Sequence, residues 1–121
     1  MTIQKTTGSL EIETLRRALE QRDIDLLVNL YADDAEVRIV NRDNPPSSPF
    51  ELHGKEEIRT YLQEIPPEIT ERLDQVVADD ERAAITVTCQ YPDGNRVLCT
   101  AMLDLHNGKI VREVAVEAWD E

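Results

Sequence analysis

Apolar residues recur at helical spacing in the first half of the chain and at alternate positions in the second half. Ile12, Leu15 and Leu19 form one apolar stripe, and a second stripe follows Asp23, a residue type that often caps helix N-termini. A third stripe begins at Gly54 and stops at a Pro-Pro pair. The pattern predicts three helices.

The first predicted strand follows two adjacent acids. Asp33 and Asp34 are expected to end the second helix, because aspartate competes for backbone hydrogen bonds. Ala35, Val37 and Ile39 then alternate with polar residues, the period of a half-buried strand. A proline-rich run follows and predicts a loop at the rim of the fold.

The remaining sequence predicts four antiparallel strands joined by tight turns. The turn sequences YPDGN and HNGK are typical of hairpins. The first turn pairs Cys89 with Val97, and the second pairs Ala101 with Val114. The predicted strands are Thr70–Ala78, Arg82–Tyr91, Asn95–Leu105 and Lys109–Trp119.

These registers place one apolar set of side chains on a common inner face of the sheet. Arg112 is the exception, an arginine on that otherwise apolar face. Glu113 and Glu117 point outward in this register, whereas a β-bulge in the last strand would move both inside. The predicted inner face comprises Ile85, Val87, Cys89, Tyr91, Val97, Cys99, Ala101, Leu103, Leu105, Ile110, Val114, Val116 and Ala118.

Composition narrows the class of protein. The 121 residues are 31% charged and 40% hydrophobic, which is typical of a globular chain, and the net charge is −12. An acidic surface repels phosphate backbones and anionic lipid, so we expect no nucleic-acid or membrane partner. The chain has two cysteines, too few for a disulfide scaffold, and we predict a cytoplasmic protein. We expect a disordered tail over residues 1–8 and a single domain over residues 9–121.

Three stretches carry a family resemblance: RRALEQRDIDLLVNLYADDAEVRI (residues 16–39), LHGKEEIRTYL (52–62) and NGKIV (107–111). With the order of elements, they resemble the SnoaL-like branch of the nuclear transport factor 2-like superfamily. The resemblance implies an α+β, cystatin-like cone in which a curved, mostly antiparallel sheet wraps around N-terminal helices. It also implies a conical pocket for a small, mostly apolar molecule.

The resemblance does not extend to the catalytic set of the ketosteroid isomerases in that superfamily. Their base lies on the first strand, and two further residues donate hydrogen bonds to the oxyanion. The base position falls on Ile39, and the donors fall near Leu15 and Ala101. All three residues are apolar here, so this mechanism is not expected.

The inner face and the resemblance together predict the wall of the pocket. We expect no cofactor and no metal, because the sequence lacks zinc, phosphate-loop and dinucleotide motifs. The predicted pocket residues are Leu15, Leu19, Tyr31, Val37, Ile39, Tyr61, Leu62, Val87, Cys89, Tyr91, Cys99, Ala101, Val114 and Val116.

Three residues are candidates for polar chemistry. Arg112 has a side chain that binds carboxylates or enolates; alternatively, it extends to water from the sheet end or pairs with an acid. His53 has the side chain of an acid–base catalyst at neutral pH, or it is a helix-entry residue. Asn41 has the inward parity of its strand.

Two functional classes are consistent with the sequence. One is an enzyme, an isomerase, cyclase or hydrolase acting on a small apolar metabolite; the other is a non-catalytic binding or sensing module. An enzyme is expected to hold an ionisable group with a perturbed pKa inside its cavity. The outer face of the last hairpin predicts a homodimer interface made of Leu98, Thr100, Met102, Val111, Ala115 and Trp119.

Overall fold

The computed structural model describes residues 10–120, and the predicted tail over residues 1–8 lies outside them. Three helices and six strands follow one another along these residues. The helices are α1 (Ile12–Glu20), α2 (Ile24–Val28) and α3 (Gly54–Glu64). The strands are β1 (Tyr31–Val40), β2 (Phe50–His53), β3 (Thr70–Ala78), β4 (Arg82–Gln90), β5 (Arg96–His106) and β6 (Lys109–Trp119).

All six strands belong to one open, curved sheet with the order β2-β1-β6-β5-β4-β3. Strand β1 runs parallel to β6, and every other neighbouring pair in this sheet is antiparallel. Helix α1 packs against β3, and α3 packs against β1. The predicted α+β cone is confirmed.

Two predictions concern the ends of helix α2, and only the one for its start is confirmed. Asp23 caps α2, where its side chain accepts a hydrogen bond from the Leu26 amide at 3.1 Å. The prediction that Asp33 and Asp34 end this helix is wrong, because both lie exposed in the irregular first part of β1. Helix α2 already ends at Val28, and two residues later the Leu30 carbonyl accepts the Ile110 amide of β6 at 2.8 Å.

Strand β2 was not expected from the sequence. It has four residues and pairs only with β1, at the edge of the sheet. A strand this short has no readable alternation, and the prolines before it predict a loop. Its last residue, His53, leads directly into α3 at Gly54, whose φ of 86° is in the region that favours glycine.

The register between β4 and β5 is confirmed. Cys89 pairs with Val97, and Val87 pairs with Cys99. The turn that joins the strands closes through the Gly94 amide, which donates to the Tyr91 carbonyl at 2.9 Å. The inner face of these two strands is therefore the predicted one.

The register between β5 and β6 changes after the turn. Leu105 pairs with Ile110 as predicted, but Asp104 pairs with Arg112, so Val111 is an extra residue on β6. This β-bulge reverses the face of every later residue on the strand, because side chains alternate along a strand. The predicted pairing of Ala101 with Val114 is therefore wrong.

The bulge exchanges the two faces of β6. Val114, Val116 and Arg112 were expected inside, but all three are exposed on the outer face. Two of the residues predicted for the dimer interface face inward instead: Ala115 is buried, and Trp119 borders the interior cavity. Val111 lies at the bulge itself and is half-buried.

No helix within residues 10–120 is long and apolar enough to cross a membrane.

Candidate functional site

A cavity of about 260 Å³ lies between the inner face of the sheet and the helices. Its wall is mostly apolar, as expected for a small-molecule site. Most residues predicted for the pocket border it: Leu15, Leu19, Tyr31, Ile39, Tyr61, Leu62, Val87, Cys89, Tyr91, Cys99 and Ala101. Their contact with a ligand stays a prediction.

Three residues predicted for the wall lie elsewhere. Val114 and Val116 are on the outer face of the sheet, 38% and 51% exposed, because of the bulge. Val37 faces inward but is packed in the core beside Glu113, its partner across the β1–β6 pair. The predicted wall thus contained Val114 and Val116, whereas Glu113 and Glu117 of the same strand border the cavity in the structure.

Glu113 and Glu117 are the two acids that the bulge turns inward, and both border the cavity. On neighbouring strands Glu113 is flanked by Leu103 and Val37, while Glu117 is beside Cys99. The deeper carboxyl therefore has apolar neighbours on both sides.

Glu113 and Tyr31 form a hydrogen-bonded pair in this apolar interior. The Tyr31 hydroxyl donates to Glu113 Oε1 at 2.5 Å. Burial raises the pKa of Glu113; the hydrogen bond from Tyr31 lowers it, and the charge of Glu117 raises it, with a net increase above the ordinary value. Burial, with the charge of Glu113, raises the pKa of Tyr31 well above its ordinary value, so the phenol stays a neutral donor.

Glu117 lies further along the same face of β6 and has a different partner. Asn41 Nδ2 donates to Glu117 Oε1 at 3.1 Å. Asn41 Oδ1 also accepts the Asp43 amide at 3.0 Å, which fixes the side chain at the end of β1. Asn41 is thus the one sequence-derived polar candidate that borders the cavity.

The other two polar candidates are outside the cavity. Arg112 is exposed on the outer face of β6. The His53 imidazole is exposed, with Nε2 3.6 Å from Glu51 and Nδ1 4.0 Å from Glu36. The backbone amide of His53 donates to Glu57 Oε1 at 2.7 Å, so this residue has the position of a helix-entry residue.

The two cysteines on the wall are free thiols on adjacent strands. Burial, and next the charge of Glu71, raise the pKa of Cys89 to about 12. Burial also raises the pKa of Cys99 far above its ordinary value. Both thiols are therefore neutral at physiological pH and poor nucleophiles, because the thiolate is the reactive form.

The cavity grows more exposed along β6. At one end Ile110 and Ala115 are 1% and 2% exposed, whereas Glu117 and Trp119 at the other end are half-buried. Strand β4 has the same gradient from buried Ile85 to half-buried Cys89. Glu113 is itself half-buried but lies between the buried Ile110 and Ala115, so it is further from the mouth of the cavity than Trp119.

Clusters of metal-binding side chains were sought among the described residues. Within residues 10–120, no group of three or more histidine, cysteine, aspartate or glutamate side chains is arranged to hold a metal ion.

The positions that correspond to the isomerase catalytic set are apolar and buried. Leu15, Ile39 and Ala101 are between 1% and 4% exposed and border the cavity. Glu113 and Glu117 of the cavity wall come from β6, the neighbour of β1, and Ile39 pairs with Ala115 between them; a third acid of the wall, Glu71, comes from β3.

Solved structures with the same fold include proteins from several bacteria. One, from Kribbella flavida DSM 17836, carries the provisional name ketosteroid isomerase; the TM-score is 0.74 at 21% identity, covering 95% of this chain and 78% of that one. An NTF2-like protein of unknown function from Mesorhizobium loti has a TM-score of 0.74 at 18% identity, covering 98% and 97%. A SnoaL-like protein of unknown function from Burkholderia thailandensis E264 has a TM-score of 0.68 at 22% identity, covering 88% and 89%.

Sequence comparison gives the family. No curated protein matches this chain. The family model described as a SnoaL-like domain matches residues 12–113, most of the chain, from α1 to the inward-facing Glu113. The chain therefore belongs to the SnoaL-like family, and it shares its fold with NTF2-like proteins.

Proposed function

We propose that this protein is a SnoaL-like enzyme that binds a small, mostly apolar molecule in its cavity and uses Glu113 to transfer a proton. The observation that carries the proposal is the Tyr31–Glu113 pair, a carboxyl of raised pKa that borders an apolar cavity. Raised carboxyl pKa values inside a cavity are typical of general acid–base groups.

In the proposed reaction, ionised Glu113 removes a proton from a carbon atom next to an electron-withdrawing group. The neutral Tyr31 phenol keeps its hydrogen bond to Oε1 and holds the carboxylate in place. Return of the proton to a different atom of the substrate completes an isomerisation, whereas loss of a leaving group completes an elimination. The apolar wall strengthens the base, because a desolvated carboxylate binds a proton more tightly.

A second candidate is a binding or sensing module without catalysis. It is favoured by the apolar residues Leu15, Ile39 and Ala101 at the positions of the isomerase set. In that case Glu113 would accept a hydrogen bond from a ligand hydroxyl group. The two candidates differ in whether the protein accelerates a proton transfer.

The proposal is tested with the ring opening of a small carbon acid, a reaction that needs only a base. In 5-nitrobenzisoxazole a base removes the single proton of the isoxazole carbon, the N–O bond breaks, and a coloured phenolate nitrile forms. We expect the purified protein to open this ring with saturation kinetics and to be inhibited by an apolar competitor. A rate no greater than that of acetate buffer at equal carboxylate concentration would favour the binding module.

We also propose a homodimer through the outer face of the sheet. This face exposes an apolar patch in which Leu98, Met102 and Val116 are 49%, 51% and 51% exposed. Thr100 pairs with Val116, and Met102 pairs with Val114, so these side chains form one continuous surface. Apolar patches of this kind usually mark an interface.

Light scattering after gel filtration tests the dimer. We expect twice the mass of one chain for the parent protein and the mass of one chain for Val116→Lys, because a charge is costly to bury without a partner. Gln63→Lys is the matched control: Gln63 is exposed on helix α3 rather than on the outer face of the sheet, and its replacement should leave the dimer intact. A monomeric parent protein would contradict the proposal.

The cytoplasmic location stays a prediction.

A further inference from the structure

Tyr61 borders the cavity from helix α3, and its hydroxyl group has no hydrogen-bond partner among residues 10–120. The side chain is half-buried. Within these residues Trp119 Nε1 is the one unpartnered polar atom without accessible surface, so the Tyr61 oxygen can be reached by a bound molecule. The Tyr31 phenol, in contrast, already donates to Glu113. Tyr61 is thus an uncommitted donor in the cavity wall.

The ring of Tyr61 has a defined place over the inner face of the sheet. It contacts the Phe50 ring, with the centroids 5.4 Å apart and the planes tilted by 39°. Phe50 pairs with Ile39, and Ile39 pairs with Ala115, which lies midway between the two acids on β6. Residues two positions apart on a strand point to the same face. Tyr61 therefore lies at the level of the two acids along the strands.

The charges that act most strongly on the Tyr61 hydroxyl come from the cavity wall. Burial raises the pKa of Tyr61 above its ordinary value, and the next largest increases come, in this order, from Glu117, Cys99, Glu113 and Glu71. All four residues border the cavity, and they lie on three different strands. A hydroxyl group that responds to all of them is directed into the cavity, and its raised pKa keeps it a neutral donor at physiological pH.

The other polar groups of the wall are less suited to bind an oxygen atom of a ligand. Asn41 Nδ2 already donates to Glu117. The thiols of Cys89 and Cys99 are weak donors. The Tyr91 ring packs against Trp119 with its centroid 5.5 Å away, which places it toward the mouth of the cavity.

Removal of a proton from a carbon atom next to a carbonyl group moves negative charge onto the carbonyl oxygen. A donor at that oxygen lowers the barrier, because it binds the enolate more strongly than the neutral ketone. We propose that Tyr61 is this donor and that the substrate is a carbonyl compound, with its oxygen at Tyr61 and its enolisable carbon at Glu113. This inference rests on the proposed proton transfer and names the class of substrate.

The step conserves atoms and electrons without a further reactant. The Glu113 carboxylate takes the proton, and the electron pair of the broken C–H bond forms a carbon–carbon double bond. The π electrons of the carbonyl group move to its oxygen, where the enolate accepts the hydrogen bond of the Tyr61 phenol. Return of the proton from Glu113 to a different carbon atom restores the carbonyl group and both side chains.

The first test measures binding alone. We expect 2-tetralone, labelled with ¹³C at its carbonyl carbon, to show a downfield shift of that carbon when the parent protein binds it, because a hydrogen bond forms. Tyr61→Phe keeps the ring and its contact with Phe50 but removes the donor, so the shift should disappear. Tyr91→Phe is the matched control, because it removes a phenol elsewhere on the wall, and it should keep the shift. No downfield shift in the parent, a shift kept in Tyr61→Phe, or a shift lost in Tyr91→Phe would overturn the proposal.

The second test measures the exchange of the C1 protons of 2-tetralone with deuterium from the solvent. We expect Tyr61→Phe to slow this exchange by about 10²-fold at saturation, as for the loss of one donor to an oxyanion. The affinity for 2-tetralone, measured by displacement of the neutral dye N-phenyl-1-naphthylamine, should fall by less than about fivefold. An exchange rate close to that of the parent, or equal losses in rate and affinity, would contradict the assignment.

The two tests also separate this inference from the proposed function. Glu113→Gln should keep the carbonyl shift while proton exchange is lost. A shift that depends on Tyr61, together with exchange that survives in Glu113→Gln, would support recognition of the oxygen and contradict Glu113 as the base. Exchange that requires Glu113, together with a shift that survives in Tyr61→Phe, would contradict the role of Tyr61 alone.

Discussion

Replacing Glu113 with glutamine is expected to lower the rate of proton transfer by about 10²–10⁴-fold, the contribution typical of a positioned general base. Glutamine has nearly the same shape and can still accept the hydrogen bond of the Tyr31 hydroxyl, so the cavity should keep its form. The measurement is the ring opening of 5-nitrobenzisoxazole under saturating conditions, with the affinity for an apolar competitor measured in parallel. We expect the rate to fall and the affinity to stay within twofold.

Glu117→Gln is the matched control for this variant. Glu117 is on the same face of β6 and also borders the cavity, but its partner is the Asn41 amide. Its charge contributes to the raised pKa of Glu113, so removing it should weaken the base slightly, and we expect a change of less than about tenfold. Equal losses in the two variants, or full activity in Glu113→Gln, would show that Glu113 is not the base.

The stability of Glu113→Gln distinguishes a lost base from a lost fold. The raised pKa means that the folded state of the parent binds the Glu113 proton more tightly than the unfolded state. The parent therefore loses stability as pH rises from the ordinary carboxyl pKa through the raised one. The glutamine variant should have the larger free energy of unfolding at pH 7, and this advantage should shrink below pH ~4, where a carboxyl of ordinary pKa is protonated in the unfolded chain as well.

Ala101→Trp is expected to abolish binding of apolar ligands with little change in stability. Ala101 is 1% exposed, borders the cavity, and pairs with the small residue Ala115. The cavity of about 260 Å³ has room for an indole, which would occupy the ligand's space. Binding of N-phenyl-1-naphthylamine and the melting temperature are the two measurements.

If the interior were a filled core rather than a cavity, the opposite result would be expected for Ala101→Trp. Overpacking a filled core costs about 1–3 kcal/mol, so the melting temperature would fall clearly. Ala84→Trp is the matched control, with the same substitution on the outer parity of β4, opposite Met102. It should leave dye binding intact. A marked fall in melting temperature for Ala101→Trp, with no dye uptake by the parent, would contradict the cavity as a binding site.

Local sequence patterns predicted most of this fold. The bounds of β3 and β6 agree with the predicted Thr70–Ala78 and Lys109–Trp119, because alternation and turn residues act over short distances. The helix stripes also gave α1 and α3. Strand β2 and the first part of β1 were missed, since their conformation depends on pairing with β6 and with each other.

The inward position of the two candidate acids was predicted only as the alternative to a regular register, and the β-bulge shows that this alternative is the correct one. Hydrophobicity alone favours a register that buries Val114 and Val116, whereas the fold turns Glu113 and Glu117 inward through one extra residue at Val111. Bulges are common beside active sites, and local rules tend to fail where function requires it. The available signal was Arg112: the regular register placed its charge on an apolar face, and the bulge removes that conflict.

The central claim is that Glu113 lies inside an apolar cavity and is poised as a base. Its carboxyl resonance in a ¹³C NMR titration tests this claim most directly. We predict a Glu113 pKa above the ordinary value for glutamate, and a further rise in Tyr31→Phe, because that variant loses the hydrogen bond that lowers it. A Glu113 pKa at the ordinary value and unchanged in Tyr31→Phe, as expected for a carboxyl on the outer face of a regular β6, would contradict the account.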